Sequence, residues 1–478
     1  MAIARPASIT TFLQDKVFFG NKPTPELIAI LTVYFVQGIL GLARLAISFF
    51  FKDELGLSPA EVSALAGIAV LPWAIKPAFG LLSDSVPLLG YRRRPYLVLS
   101  GIVGSLSWLA FATLVDSSAT AVVVLLLSSL SMAVSDVIVD SQVVERARVE
   151  SLDRAGSLQS VCWGASGLGG VITAYLSGWL LELWSPRAVF AVTAIFPLLV
   201  SAVAWAIAET PVSRGTARPQ LRDQIRQLWG AIAQEPVWMP ALFVFVWQAT
   251  PTADSALFFF QTNELGFEPE FLGRIRLVTN LASLAGIWVF YRFLKTVPFR
   301  RLFVWTTVLS ALLGLTTLIL VTHANRALGI DDHWFSLGDS LILAVMGQVA
   351  FMPVLVLSAR LCPRGVEATL FALLMSLWNL SGVLSHEAGA LLTHWLGVTE
   401  TEFDNLWLLV LLTNASTLLP LPLVSLLPNG DPGAQPPPAR EGEVRHSQAA
   451  QPGLPLAVPE WGSTLAEIEA YAPASPRS

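Results

Sequence analysis

Apolar runs of about 20 residues recur from one end of this chain almost to the other. A hydrocarbon layer about 30 Å thick is crossed by roughly 20 residues rising 1.5 Å each. In that medium every backbone N–H and C=O needs a partner inside its own segment, so such runs have to be helical. Composition agrees, with 54% hydrophobic and 13% charged residues among 478; a soluble domain carries roughly a quarter charged. The sequence therefore reads as an all-α polytopic membrane protein. Twelve transmembrane helices are expected over 27–51, 61–83, 95–115, 119–143, 156–181, 187–208, 237–260, 271–294, 299–322, 337–360, 366–394 and 404–427.

Basic residues set the expected orientation, because cytoplasmic connections are enriched in Lys and Arg. Alternate connections hold Arg92, Arg93 and Arg94; Arg146, Arg148 and Arg154; Arg214, Arg218, Arg222 and Arg226; Arg292, Lys295, Arg300 and Arg301; and Arg360 and Arg364. The other connections offer little beyond Lys52, Arg187, Arg326 and the pair Arg274 and Arg276. Both termini are thus expected in the cytoplasm. The segments are a cytoplasmic 1–26, a six-helix bundle over 27–208, a cytoplasmic linker 209–236, a second bundle over 237–427 and a Pro-rich cytoplasmic tail 428–478. The tail carries too little apolar surface to order itself.

Several function classes are disfavoured. Net charge is −5 and no basic stripe points to nucleic acid. Cys162 and Cys362 are the two cysteines and are expected as free thiols. No metal-ligand cluster, nucleotide-binding loop or nucleophile–base set is present, so neither an enzyme nor a bound cofactor is expected. Met1 to Pro25 includes Asp15, Lys16 and Lys22 and lacks the pattern of a cleaved signal. A monomer in a bacterial inner (plasma) membrane is expected.

An internal repeat organises the chain. Phe49–Pro59 reads FFFKDELGLSP if begun at residue 49, and residues 258–269 read FFFQTNELGFEP, matching at a shift of 210. Two six-helix halves in parallel repeat describe the major facilitator architecture, with a cavity between the halves. A charge in a span costs about 2.5–3.5 kcal/mol on insertion scales, so each needs a reason. Arg44 in the first span maps onto Asp254 in the seventh (44 + 210). The two either form a substrate site with a cationic and an anionic pole or a salt bridge fastening the halves.

Lys76, flanked by Pro72 and Pro77, either meets a substrate carboxylate in the cavity or extends to the cytoplasmic surface. Gly80 and Asp84 followed by Arg92, Arg93 and Arg94 resemble the loop motif after the second helix of major facilitators, which implies an ion network at a cytoplasmic gate, with Arg148 grouped in it; an ordinary positive-inside loop is the alternative. Asp136 and Asp140, four apart, share a helix face. They either form a proton carrier or pair with Arg92–Arg94 or Arg146. His386 and Glu387 are a second proton-relay candidate. Gln37, Gln159, Asn379 and Ser381 are polar groups within spans, and Trp73, Trp163, Trp247 and Trp378 are mid-span indoles. Each either packs between helices or contacts a flat aromatic ligand.

Five segments resemble the folate–biopterin transporter branch of the major facilitators: Lys76 to Gly101, Ser135 to Arg148, Ser157 to Gly164, Phe258 to Gly273 and Glu367 to Gly382. The resemblance spans roughly residues 25–427 and is closest to cyanobacterial and plastid members. It implies alternating-access transport of folates or related pterins, with proton coupling left open. On pseudo-symmetry and placement within the spans, the substrate contacts are expected from Arg44, Asp254, Lys76, Gln37, Gln159, Trp163, Trp247 and Asn379. A carrier of another organic anion or aromatic solute, and a non-transporting pigment-binding or assembly factor, are the alternatives.

Overall fold

The structure, a computed structural model, describes residues 23–149, 152–207, 209–211, 230, 233–294, 296–360 and 367–428. Among these, helices dominate, and one isolated antiparallel bridge joins Leu88 to Tyr91. The rods are α1 (Pro25–Glu54), α2 (Pro59–Ser83), α3 (Arg94–Thr113), α4 (Ser118–Val149), α5 (Leu152–Leu183), α6 (Pro186–Ala206) and α7, in two pieces (Glu235–Gln248 and Asp254–Phe259). They continue with α8 (Pro269–Leu294), α9 (Phe299–Val321), α10 (Asp332–Arg360), α11 (Glu367–Trp395) and α12 (Leu406–Leu426).

Among the described residues nine of these are long and apolar enough to cross a membrane. The remaining three, α5, α7 and α11, lie where spans were expected and are helical. The seventh segment, expected over 237–260, is helical but broken in the middle. Pro251 lacks an N–H and crowds the preceding turn, so the helix stops at Gln248 and restarts at Asp254. The break is tied to α11, since the Ser385 hydroxyl donates to the Thr250 carbonyl at 2.6 Å.

The repeat is written into the backbone. Helix α1 is interrupted at Leu40–Gly41, ends in a π-turn over Phe50–Glu54, turns at left-handed Gly56 and restarts at Pro59 behind the Ser58–Glu61 capping box. After α7 the same order runs through a π-turn over Phe260–Glu264, left-handed Gly266 and a restart at Pro269. Glycine at 56 and 266 is demanded by positive φ values of 61° and 68°.

Buried apolar clusters divide along the chain. One gathers Phe50, Phe111, Trp108 and Phe190 of α1–α6 and is joined by Phe259 of α7, and another gathers Ile30, Leu97, Ile138 and Leu158 of α1–α6. Phe260, Leu320 and Leu409 form a third, and Phe243, Phe303 and Val354 a fourth, from α7–α12. A smaller cluster of Leu45, Phe49, Phe267 and Leu272 bridges the two sets. Between the sets α2 packs along α11 and α5 along α8. At the α5–α8 seam a Cβ on Gly178 would stand 2.2 Å from the Pro269 carbonyl oxygen, so only glycine allows this approach.

Candidate functional site

Arg44 lies ten residues before the end of α1, three residues after the interruption at Gly41. Protein crowds around it, yet the residue is exposed. Gln37, Gly41, Arg44 and Ser48 recur at helical spacing, which puts them on one face. Arg276, seven residues into α8, lies within electrostatic reach of Arg44. Its Nη1 is buried without a hydrogen-bond acceptor among the described residues. Asn280, one turn further along the same face, donates to the Gly170 carbonyl of α5 at 3.3 Å.

Asp254 opens the second piece of α7 and is exposed. Its charge acts on His386 of α11, whose Nδ1 is buried and unpartnered among the described residues. The His386 carbonyl accepts from Ser63 of α2 at 3.0 Å. Beside it, a Cβ on Gly67 would meet the Glu387 carboxylate at 2.8 Å. The salt-bridge alternative for Arg44 and Asp254 is not what forms: no ion pair among the described residues contains either one. Each instead has a neighbour from another helix, Arg276 for the cation and His386 for the anion. Arg276 was legible only as a base near a helix start, because nothing in the sequence places α8 against α1.

Lys76 is resolved differently from both expectations. Its ammonium pairs with Asp136 of α4 and lies 4.4 Å from the centre of the Trp73 ring. It neither reaches the surface nor stands free for a ligand. Pro77 explains the neighbouring contact. It interrupts the helix at Ile75 and frees the Trp73 carbonyl four residues back, which accepts from Asn379 of α11 at 3.2 Å. Asp140 accepts a 2.5 Å hydrogen bond from the Tyr34 hydroxyl of α1 and lies within electrostatic reach of Asp136. The pairing of Asp136 and Asp140 with Arg92–Arg94 is thus corrected.

Those arginines serve another partner. Glu209 accepts from the backbone N–H of Arg92 at 2.6 Å, Arg93 at 3.0 Å and Arg94 at 3.0 Å, and the Arg94 guanidinium donates to the Ile207 carbonyl at 2.6 and 2.8 Å. Three otherwise orphaned donors at the start of α3 are satisfied by one carboxylate. At Gly80 a Cβ would meet Val137 at an ordinary 3.5 Å. The side chains of Asp84, Arg148 and Gln159 lie outside the described residues, as do the central 212–229 of the expected linker and the tail beyond 428.

The indoles also separate. Trp247 donates to Thr307 at 3.0 Å and packs against Trp378 and Phe303, so it belongs to the core rather than to a ligand. Trp378 packs on Phe351 in the same cluster. Trp163 is 58% exposed and keeps an open face. Gln37 has an Nε2 buried without an acceptor among the described residues, beside Ser131 and Ser135 of α4.

The folate-biopterin transporter of Synechocystis sp. is 63% identical over 432 residues, covering 90% of this chain and 87% of that protein. The probable folate-biopterin transporter 2 of Arabidopsis thaliana is 34% identical, covering 83% and 81%. Folate transporter 2 of Plasmodium falciparum is 33% identical, covering 84% and 88%. Among solved structures, the nucleoside transporter NupG superposes with a TM-score of 0.64 at 13% identity, covering 84% of this chain and 98% of that one. A D-xylose-proton symporter gives 0.61 at 13% identity, covering 84% and 98%. These last two establish the fold, that of major-facilitator-type transporters. The BT1 family matches residues 37–445, and with a relative this similar the chain belongs to the BT1 family.

Proposed function

We propose that this protein carries folates or related pterins across a bacterial inner membrane by alternating access, binding them in a cavity between the halves, beside Arg44. The observation that carries the reading is the disposition of charge about two positions matched in the repeat: a guanidinium at 44 on α1 neighboured by one on α8, and a carboxylate at 254 on α7 neighboured by an imidazole on α11. A pterin ring presents adjacent N–H donors that Asp254 accepts as a bidentate pair, and the glutamate of a folate presents carboxylates for arginine. The printed names of the relatives supply the substrate class. Trp163 offers a ring face for stacking, and Gln37 and Gln159 supply polar contacts along α1 and α5. Asn379, Lys76 and Trp247 act one layer out, through the helices they hold.

In this reading the rods form twelve spans in two six-helix bundles, with both termini cytoplasmic. The end where α1 meets α2 and α7 meets α8 then faces outward. It is held shut by the Gly178–Gly273 approach, by Lys52 donating to Asn263 at 2.9 Å and by Tyr175 donating to Glu270 at 2.9 Å. The molecule is accordingly read as open towards the cytoplasm. Gly80, Asp84, Arg92, Arg93, Arg94 and Arg148 form the network at the inner gate. Lys76 balances one of the carboxylates Asp136 and Asp140, and the second is the proton-carrying group. Counterflow of radiolabelled folate in proteoliposomes tests the proposal. Exchange by the wild type is expected, as is its loss in Asp254→Asn. A reconstituted wild type that exchanges no folate overturns it. A pH gradient that drives no folate accumulation removes the proton from the scheme.

A further inference from the structure

The Arg44–Arg276 pair has a consequence for which substrates are preferred. Two guanidiniums within electrostatic reach repel one another, and neither has an anionic partner among the described residues. The nearest acid on α8, Glu270, is already engaged by Arg274 at 2.6 Å and by Tyr175 at 2.9 Å. Asn280 directs its amide N–H towards Gly170. Asp254 is associated with His386 on the other side of the site. Arg276 Nη1 is therefore a buried donor with no acceptor among the described residues, a costly state that an incoming anion relieves. Next to Asn280, one turn along α8 from Arg276, there is open space, because a Cβ on Gly170 would meet nothing within 4 Å.

We infer that Arg44 and Arg276 form a subsite for two carboxylates, so that the doubly charged tail of the substrate, rather than its ring, sets the affinity. This rests on the transport reading above. Each guanidinium takes one carboxylate of a terminal glutamate in forked geometry, which a lysine at the same place reproduces only in charge. The pair draws on α1 and α8, helices from opposite parts of the chain, so a bound dianion links the two parts directly. A tail-free ring occupies the acidic side and leaves the cationic side uncompensated.

The test is uptake by proteoliposomes of three ligands: folate, folate with both tail carboxylates amidated, and pteroate, which lacks the glutamate. The wild type is expected to show a KM for the bis-amide on the order of tenfold to a hundredfold above that for folate, with pteroate between them. In Arg276→Gln, where Arg44 still takes one carboxylate, that KM ratio falls by at least about threefold, and Arg276→Lys recovers part of it. Equal KM values for folate and bis-amide in the wild type overturn the inference while leaving folate transport standing. A ratio unchanged in Arg276→Gln overturns it equally. If Arg276→Gln does not fold, the wild-type ratio alone decides. A wild type that moves none of the three overturns the transport reading, and this inference with it.

Discussion

Helices α1 and α7 follow one backbone plan and do opposite things with it. Each is interrupted midway, at Leu40–Gly41 and at 249–253, and each closes on a five-residue π-turn and a left-handed glycine. Three residues beyond matched points, α1 carries Arg44 and α7 carries Asp254. The interruptions are also held differently. In α1 the Gly38 carbonyl accepts from Thr173 of α5 at 3.1 Å; in α7 Pro251 forces the break and Ser385 of α11 closes it. The next pair of helices diverges further. Lys76 of α2 is neutralised by Asp136, whereas the matching position of α8 (76 + 210) is Gly286, pressed so close to α10 that a Cβ would stand 2.7 Å from the Val345 carbonyl oxygen. A repeated backbone thus leaves each half free to choose its own chemistry, because turns are specified locally and partners are not.

The largest effect should come from exchanging the poles. Arg44→Asp and Asp254→Arg are each expected to lower folate counterflow about a hundredfold or more, and the double exchange is expected to stay as inactive. The swap would put a carboxylate beside Arg276 and a guanidinium beside His386, so symmetry cannot restore function. Recovery in the double variant would mean that the two poles pair with each other after all. Next in size is Lys76→Met, which strands Asp136 beside Asp140. Losing one partner of a pair this buried costs about 3–5 kcal/mol, read as a lower melting temperature in detergent. Gly286→Ala probes the same position in the other half, and overpacking against backbone there is expected to cost about 1–3 kcal/mol.

Asn379→Leu should be milder. It removes the donor that satisfies the Trp73 carbonyl, at about 1–3 kcal/mol. In a Pro77→Ala background the helix can reclaim that carbonyl, so the same change should then cost measurably less. Equal losses in both backgrounds would show that Asn379 acts through some other contact. Smallest of all, Lys52→Ala at the closed end should shift stability by under about 1 kcal/mol, since its bond to Asn263 is exposed.

Much of this protein is readable from residues alone. Apolar length determined which stretches are helical, and even α5, α7 and α11 lie where spans were expected. The Glu-Leu-Gly repeat at 54 and 264 located the matched turns, because glycine and proline dictate backbone within a few residues of themselves. Arg44 and Asp254 stood out because a charge within a span demands a reason. The partners did not. Lys76 finds Asp136 across 60 residues, Tyr34 finds Asp140 across 106 and Arg92 finds Glu209 across 117. Arg276 becomes part of the site only because α8 packs against α5 beside α1. Helix position and turn geometry follow from short-range sterics and from the length of the apolar layer, so sequence determines them. Which charge is balanced and which is left waiting for a ligand depends on how distant helices are brought side by side, and only the tertiary structure decides that.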